Sequence, residues 1–194
     1  MAERRKPKPE APFPRKIQPM LSVPTDKRPS DPQHWLCEFK WNGVRAIVYI
    51  KNSQEVRITS EQGKDITGQY QDLANRLSLL ARKFSLVSDG EIVGSGIARR
   101  YKPFQFVATD LLYLDGEDLT SLPLVKRKSK LGDKFSNLNL LGIYPNLFVE
   151  GDYEHIIKVA EKDGFPGVVF KRLRSVYVPR SKSRNWRHMN FERS

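Results

Sequence analysis

An α+β domain, with mixed or antiparallel sheets flanked by helices, is the fold that this sequence predicts. Three observations carry the expectation. Strand-like runs crowd the first half of the chain, helical spacing appears in only a few segments, and the two do not alternate as a regular βαβ repeat would.

The elements follow in order. Residues 1–16 hold six basic residues and four prolines, which suits a flexible basic arm better than a packed segment. Residues 35–39 (Trp-Leu-Cys-Glu-Phe) read as extended. Residues 44–50 are rich in β-branched and aromatic side chains, residues 56–59 alternate, and Asn52-Ser53 makes the turn between them. Leu73, Leu77 and Leu80 recur at helical spacing and predict a helix over 70–83 with a core-facing stripe. Residues 84–87 lead to a sharp turn at Asp89-Gly90, and residues 91–93 leave it. The apolar run over 104–113 reads as a central strand, closed by a turn at Asp115-Gly116. Helices are expected over 126–135 and 153–163, the second with Ile156, Ile157 and Ala160 inward and Gly164 at its C-cap. Residues 167–171 form a strand. From Tyr177 to Arg187 bulky and basic residues alternate, which suits a phosphate-facing loop better than a core strand.

Composition bounds the function. The chain has 194 residues, of which 39% are hydrophobic, so it can bury a core and is not wholly disordered. No apolar run approaches the ~20 residues of a membrane helix, and no apolar segment follows the N-terminal charges as in a secretory signal. The single Cys37 excludes an internal disulfide and a Cys-based zinc site, and is read as a small core filler. His34, His155 and His188 lack metal-ligand spacing. An intracellular, cytoplasmic protein with no membrane partner is expected. Lys plus Arg is 34 against 22 for Asp plus Glu, a net charge of +12. The cations cluster at residues 4–8, 126–134 and 171–187. That surplus fits a polyanion such as nucleic acid, held in a salt-sensitive way, without saying which.

Chemistry concentrates in Glu38-Phe39-Lys40-Trp41-Asn42-Gly43-Val44-Arg45. A lysine at a strand end, followed by a glycine that lets the backbone approach a ligand, can be held rigidly against a phosphate or act as a nucleophile. Taken alone, the segment suits a surface lysine in a hairpin better.

Further segments weight the choice. Residues 17–21 (Ile-Gln-Pro-Met-Leu), 40–45 (Lys-Trp-Asn-Gly-Val-Arg), 88–93 (Ser-Asp-Gly-Glu-Ile-Val), 106–116 (ending Asp-Leu-Leu-Tyr-Leu-Asp-Gly) and 164–171 (ending Gly-Val-Val-Phe-Lys) fall in a fixed order. In that order the chain resembles the nucleotidyltransferase (adenylation) domain of ATP-dependent DNA ligases, most closely the prokaryotic non-homologous end-joining ligases of the ligase D type. The resemblance covers about residues 17–190. It implies an ATP-grasp-like nucleotidyltransferase fold over 17–194, here without the C-terminal OB-fold that such ligases carry, so the isolated domain is expected to be a weak or inactive ligase.

The resemblance also implies a reaction. A motif lysine attacks the α-phosphate of ATP and becomes lysyl-AMP. AMP then passes to a DNA 5′-phosphate, and the 3′-hydroxyl displaces it. By position Lys40 would be the nucleophile, Glu38 would lie beside the adenine, Arg45 and Glu91 would hold the ribose and order the site, and Lys171 would touch the phosphate. Glu91 would also hold the divalent metal, Mg²⁺ or Mn²⁺. Arg180, Lys182, Arg184 and Arg187 would contact nucleic acid. Nicked or broken double-stranded DNA would be the substrate, a Ku-type end-binding protein a partner, and the chain a monomer associated with the nucleoid.

The departures from the motifs are concentrated. The family's Asp two residues after the lysine is Asn42, and Glu61 stands where an arginine is usual. Thr109 replaces the aromatic residue that stacks on the purine. Pro166 replaces a metal-binding glutamate, and His188 and Asn190 replace two phosphate-binding lysines. These changes support a second reading: a catalytically degenerate module on the ligase scaffold that binds nucleic acid or a repair partner. A third, an RNA ligase or capping-type transferase, shares the lysine motif but fits residues 17–21 and 110–116 less well.

Overall fold

The computed structural model describes residues 10–52, 54–94, 103–136, 138 and 142–191. Two sheets form the framework. The first places β1 (Leu21–Pro24), β11 (Lys182–Asn190), β10 (Gly167–Arg172), β2 (Trp35–Lys40) and β9 (Phe148–Glu150) side by side in that order. The second runs β4 (Glu55–Ser60), β3 (Val44–Asn52), β5 (Leu86–Val93), β6 (Gln105–Leu114) and β7 (Glu117–Asp118), and β8 (Ile143–Pro145) adds to β6. Most pairs are antiparallel; β1–β11 and β6–β8 are parallel. The mixed-sheet α+β expectation therefore holds.

Alternation along β3 explains how the sheets pack. Ala46, Val48 and Ile50 face a core built with α1 (Gln71–Ser78) and α2 (Leu124–Phe135). Ile47 and Tyr49 face the other way, toward Tyr177 and Trp186 at the seam between the sheets. A strand buried on both faces reads as a continuous apolar run, as residues 46–50 do. The outer face of the first sheet, with Trp35, Cys37, Val168 and Phe170, is covered by α3 (Glu154–Lys162). Cys37 is completely buried there, the filler expected of it.

Several expectations need correction. Asp89-Gly90 is not a turn: β5 runs straight through it. Gly90 is there for space, since a Cβ would lie 2.4 Å from the Val107 carbonyl oxygen and 2.6 Å from the Phe106 ring. The pairing with β6 shifts register at this point. The helix over 70–83 is shorter. It ends at Ser78, where Leu79 donates to the Arg76 carbonyl, and a 3-10 turn over Leu80–Arg82 turns Leu80 inward. Leu73, Leu77 and Leu80 are buried as the spacing required.

The basic stretch ending at Arg187 is not all loop; β11 occupies its second half and sits between β1 and β10. It lacks an apolar signature because Lys182 and His188 line the cavity and Asn190 the adjoining groove, leaving Trp186 as the buried apolar residue of that face. The described part of the arm packs on the fold. Residues 1–9 lie outside the described residues, but the Ala11 amide donates to the Gly116 carbonyl (2.6 Å), and Phe13 packs edge-on against Tyr113. The Asp115-Gly116 turn and the Gly164 cap stand as expected, both glycines having positive φ. No helix among the described residues is long and apolar enough to cross a membrane.

Candidate active site

The two sheets leave between them a cavity of about 290 Å³. The strand registers select its lining. On the first sheet Lys40, Glu38 and Leu36 pair across to Gly167, Val169 and Lys171, which pair across to Asn190, His188 and Trp186; one face carries them all. On the second sheet Arg45 pairs with Glu91. Lys40, Glu38, Arg45, Glu91 and Lys171, predicted from scattered motifs, thus converge on one cavity.

Lys40 lies at its rim. Its Nζ donates to Asn190 Oδ1 at 2.6 Å, reaching over Gly167 on the intervening strand. No side chain fits at Gly167, where a Cβ would meet the Met189 carbonyl oxygen at 2.0 Å. Beyond Asn190 a wider groove of about 850 Å³ opens past Asn42, Phe165 and Pro166. Lys40 is therefore near both spaces. Trp41 is a wall: its indole N–H donates to Asn146 Oδ1 (2.9 Å), and its ring meets Phe165 edge-on.

Glu38 is buried at the inner end. Its Oε2 accepts from Lys128 Nζ at 2.5 Å, and its Oε1 lies 2.5 Å from Lys171 Nζ. Lys171 also stands 4.2 Å from the centre of the Trp186 ring. Burial alone would push the Glu38 carboxyl up, but the two ammoniums outweigh it and hold the carboxyl below its ordinary value of 4.5. Folded-state stabilisation from Glu38 is accordingly present above about pH 4.5 and is lost as pH falls through the lower folded value. Glu38→Gln strands two buried cations and is expected to cost about 2–3 kcal/mol at neutral pH. Urea midpoints should show that gap shrinking as pH falls from about 4.5 toward the lower folded value, through which the wild-type carboxylate takes up its proton. A gap independent of pH would contradict the ion cluster.

The opposite wall is held by Asp89. Arg45 donates to both of its oxygens at 2.7 Å, and the Tyr177 hydroxyl donates to Oδ2 at 2.8 Å. Burial, then Asp89, pushes the Tyr177 phenol well above its ordinary value, so it stays a donor. Glu91 accepts from the Gly43 amide at 3.2 Å, and burial raises its carboxyl despite Arg45. Glu61 and Thr109 also line the cavity. Among the described residues no three His, Cys, Asp or Glu side chains converge as a metal cage.

The four residues assigned to nucleic acid are separated by the fold. Lys182 lines the cavity itself. Arg187 lies on the other face of its strand, its guanidinium 4.6 Å from the Trp35 ring centre. Arg184 is exposed, and Arg180, with φ of 64°, lies beside Lys16 and Gln18. Sequence reasoning missed Lys128, which looked like one more cation of a basic helix. It also missed Ser22, whose Oγ is 2.8 Å from His188 Nδ1, and Asn146.

Residues 19–189 match the family model described as the ATP-dependent DNA ligase domain. The chain belongs to that family. The end-joining DNA repair protein LigD of Mycobacterium tuberculosis (H37Rv) is 31% identical over 190 residues, covering 91% of this chain and 24% of that protein. The DNA ligase of Thermococcus onnurineus is 26% identical, covering 77% and 31%. Among solved structures, a mycobacterial DNA ligase D complexed with ATP and MES superposes with a TM-score of 0.78 at 27% identity, over 90% of this chain and 60% of that one. The ligase domain of M. tuberculosis LigD gives 0.75 at 27% identity, over 89% and 58%. The chain thus spans about a quarter of the length of LigD. The nucleotidyltransferase fold expected from the motifs is the fold of this ligase domain.

Proposed function

We propose that this chain is the adenylation domain of an ATP-dependent DNA ligase acting in end joining, with Lys40 as the residue that carries AMP. The observation behind the reading is the convergence of Lys40, Glu38, Arg45 and Glu91 on one cavity between the sheets, with the Lys40 amine at the rim facing a wider groove. Lys40 Nζ attacks the α-phosphorus of ATP, and pyrophosphate leaves. AMP then passes from Lys40 to a DNA 5′-phosphate, and the 3′-hydroxyl displaces it.

Glu38 lies deepest and is the group beside the adenine. Arg45, fixed by Asp89, and Glu91, fixed by Gly43, hold the ribose. Lys171 is assigned differently from the sequence expectation. Its ammonium is paired with Glu38 at the inner end, four residues along the sheet from the level of Lys40, or about 13 Å. It therefore serves the base end, and Lys182, which lines the cavity, is the better phosphate cation. Glu91, with Glu61 beside the cavity, would hold Mg²⁺ or Mn²⁺ together with phosphate oxygens, a donor set that suits an ion bound by few carboxylates. That ion supplies charge neutralisation. Arg180 and Arg184 face DNA, while Arg187, stacked on Trp35, serves the sheet. A Ku-type partner, a monomeric state and a nucleoid-associated cytoplasmic location complete the proposal.

The degenerate-module reading is favoured by the cavity's own changes: Thr109, Glu61, His188 and Asn190 all lie on or beside it. A nicked duplex with a labelled 5′-phosphate, incubated with ATP and Mg²⁺ or Mn²⁺, separates the two. The ligase reading expects AMP on the 5′-phosphate, sealed product, and duplex retention that falls steeply with salt. Salt-sensitive retention with no AMP transfer would favour the binding module, and salt-independent retention would count against both.

A further inference from the structure

Where the ligase motif carries lysines, this chain places His188 and Asn190, and the structure gives the pair a coherent geometry. Asn190 Oδ1 already accepts from the Lys40 ammonium at 2.6 Å. His188 is two residues along the same strand and on the same face; it and Lys40 both line the cavity, and Asn190 lines the adjoining groove. Among the described residues the imidazole is fixed on one side, its Nδ1 being 2.8 Å from Ser22 Oγ on β1. That leaves Nε2 for the cavity. A neutral imidazole neutralises little phosphate charge, but it can do what a charged lysine cannot, which is to accept a proton.

We propose that His188 is a catalytic base for lysyl-AMP formation, taking the proton that Lys40 sheds as its nitrogen bonds to phosphorus. The inference rests on the lysyl-AMP reading above. In the step, the Lys40 ammonium first gives one proton to solvent, and the free amine at Nζ then forms the N–P bond. The bond from the α-phosphorus to the bridging oxygen breaks, and its electron pair leaves with pyrophosphate. The proton from Nζ passes to His188 Nε2 and then to solvent. The tautomer this needs has Nδ1–H donating to Ser22 Oγ and the lone pair on Nε2.

The surroundings suit a base that stays neutral near pH 7. Burial, then Lys40 from β2 and Lys182 from its own strand, lowers the imidazole below its ordinary value. From the remaining elements the cavity receives Glu38, Arg45, Glu61, Glu91 and Lys171, while β1 contributes Ser22 next to the ring. The lowered value favours the unprotonated ring that a proton acceptor must present.

The first arm of the test needs no nucleotide. The chain holds three histidines, so ring-nitrogen NMR can follow each through a pH titration. The His188 midpoint is expected below that of a free histidine and is expected to rise in Lys40→Met, because a nearby cation has gone. An unchanged midpoint would overturn the inference while leaving the ligase reading standing. The second arm measures single-turnover adenylation. His188→Gln should slow it about 10²-fold, and imidazole added to a His188→Ala variant should restore part of the rate. His188→Lys should not recover it. A wild-type rate in His188→Gln, or a faster His188→Lys, would show a mere relic of the phosphate site. Wild-type protein that forms no adduct at any pH would overturn the lysyl-AMP reading and this inference with it.

Discussion

Replacing Lys40 with alanine is expected to abolish covalent AMP labelling and to leave duplex affinity nearly unchanged. The reasoning separates two kinds of lysine. Lys40 ends strand β2 at the cavity rim and makes one hydrogen bond, to Asn190. It pairs with no buried carboxylate, so its removal should shift stability by no more than about 0.5 kcal/mol. Duplex binding draws on many cations of a chain with a net charge of +12, and losing one changes the salt slope by only about one charge. The buried lysines Lys171 and Lys128 are held on Glu38 and cannot substitute as the nucleophile, and Lys182 is the cation placed on the phosphate. Parallel labelling and filter-retention assays check the prediction. Equal loss of labelling and of duplex binding would contradict the role given to Lys40.

The second large effect concerns stability. Asp110 and Arg127 are completely buried and joined by two hydrogen bonds of 2.8 Å. Arg127 also donates to the Ser175 carbonyl (3.0 Å), so one guanidinium ties α2 to β6 and to the loop after β10. Asp110→Ala leaves that guanidinium buried and uncompensated, a change that typically costs about 3–5 kcal/mol. For a domain of this size the loss corresponds to a fall in Tm of roughly 6–20 °C. Scanning calorimetry of the single variant, and of the double variant with Arg127→Met, checks it. The double variant should recover most of the loss, because the stranded charge is gone. A single variant within 1 °C of wild type would contradict the account.

Much of this architecture was legible because burial and periodicity agree. The run at residues 46–50 is apolar on both faces because β3 is buried on both faces there. Leu73, Leu77 and Leu80 mark a core-facing stripe although α1 itself stops at Ser78. The failures arise where a local signal has two physical causes. Asp-Gly usually means a turn, but Gly90 sits in a strand that crosses too close to Phe106 for a side chain. Strand β11 reads as a polar loop because Lys182 and His188 line the cavity and Arg184 and Asn185 are exposed, so its alternation carries little apolar mark.

The site was legible for the same reason that the family was: Lys40, Glu38, Arg45 and Glu91 stand in motifs of fixed order. Its supports were not. Lys128 lies 90 residues from the carboxylate it holds, and Ser22 lies 166 residues from His188. Nothing local distinguishes them from a basic helix or a strand-end serine. Arg187 shows the reverse error. Composition grouped it with its basic neighbours, whereas strand alternation turns it away from the cavity onto Trp35.

Intact-mass spectrometry of the wild-type chain, incubated with ATP and Mg²⁺ or Mn²⁺, tests the central claim most directly. The account predicts a gain of one adenylyl group, absent without ATP, mapping to the peptide that contains Lys40. A chain that gains no mass under these conditions, or gains it on a different lysine, would contradict the account.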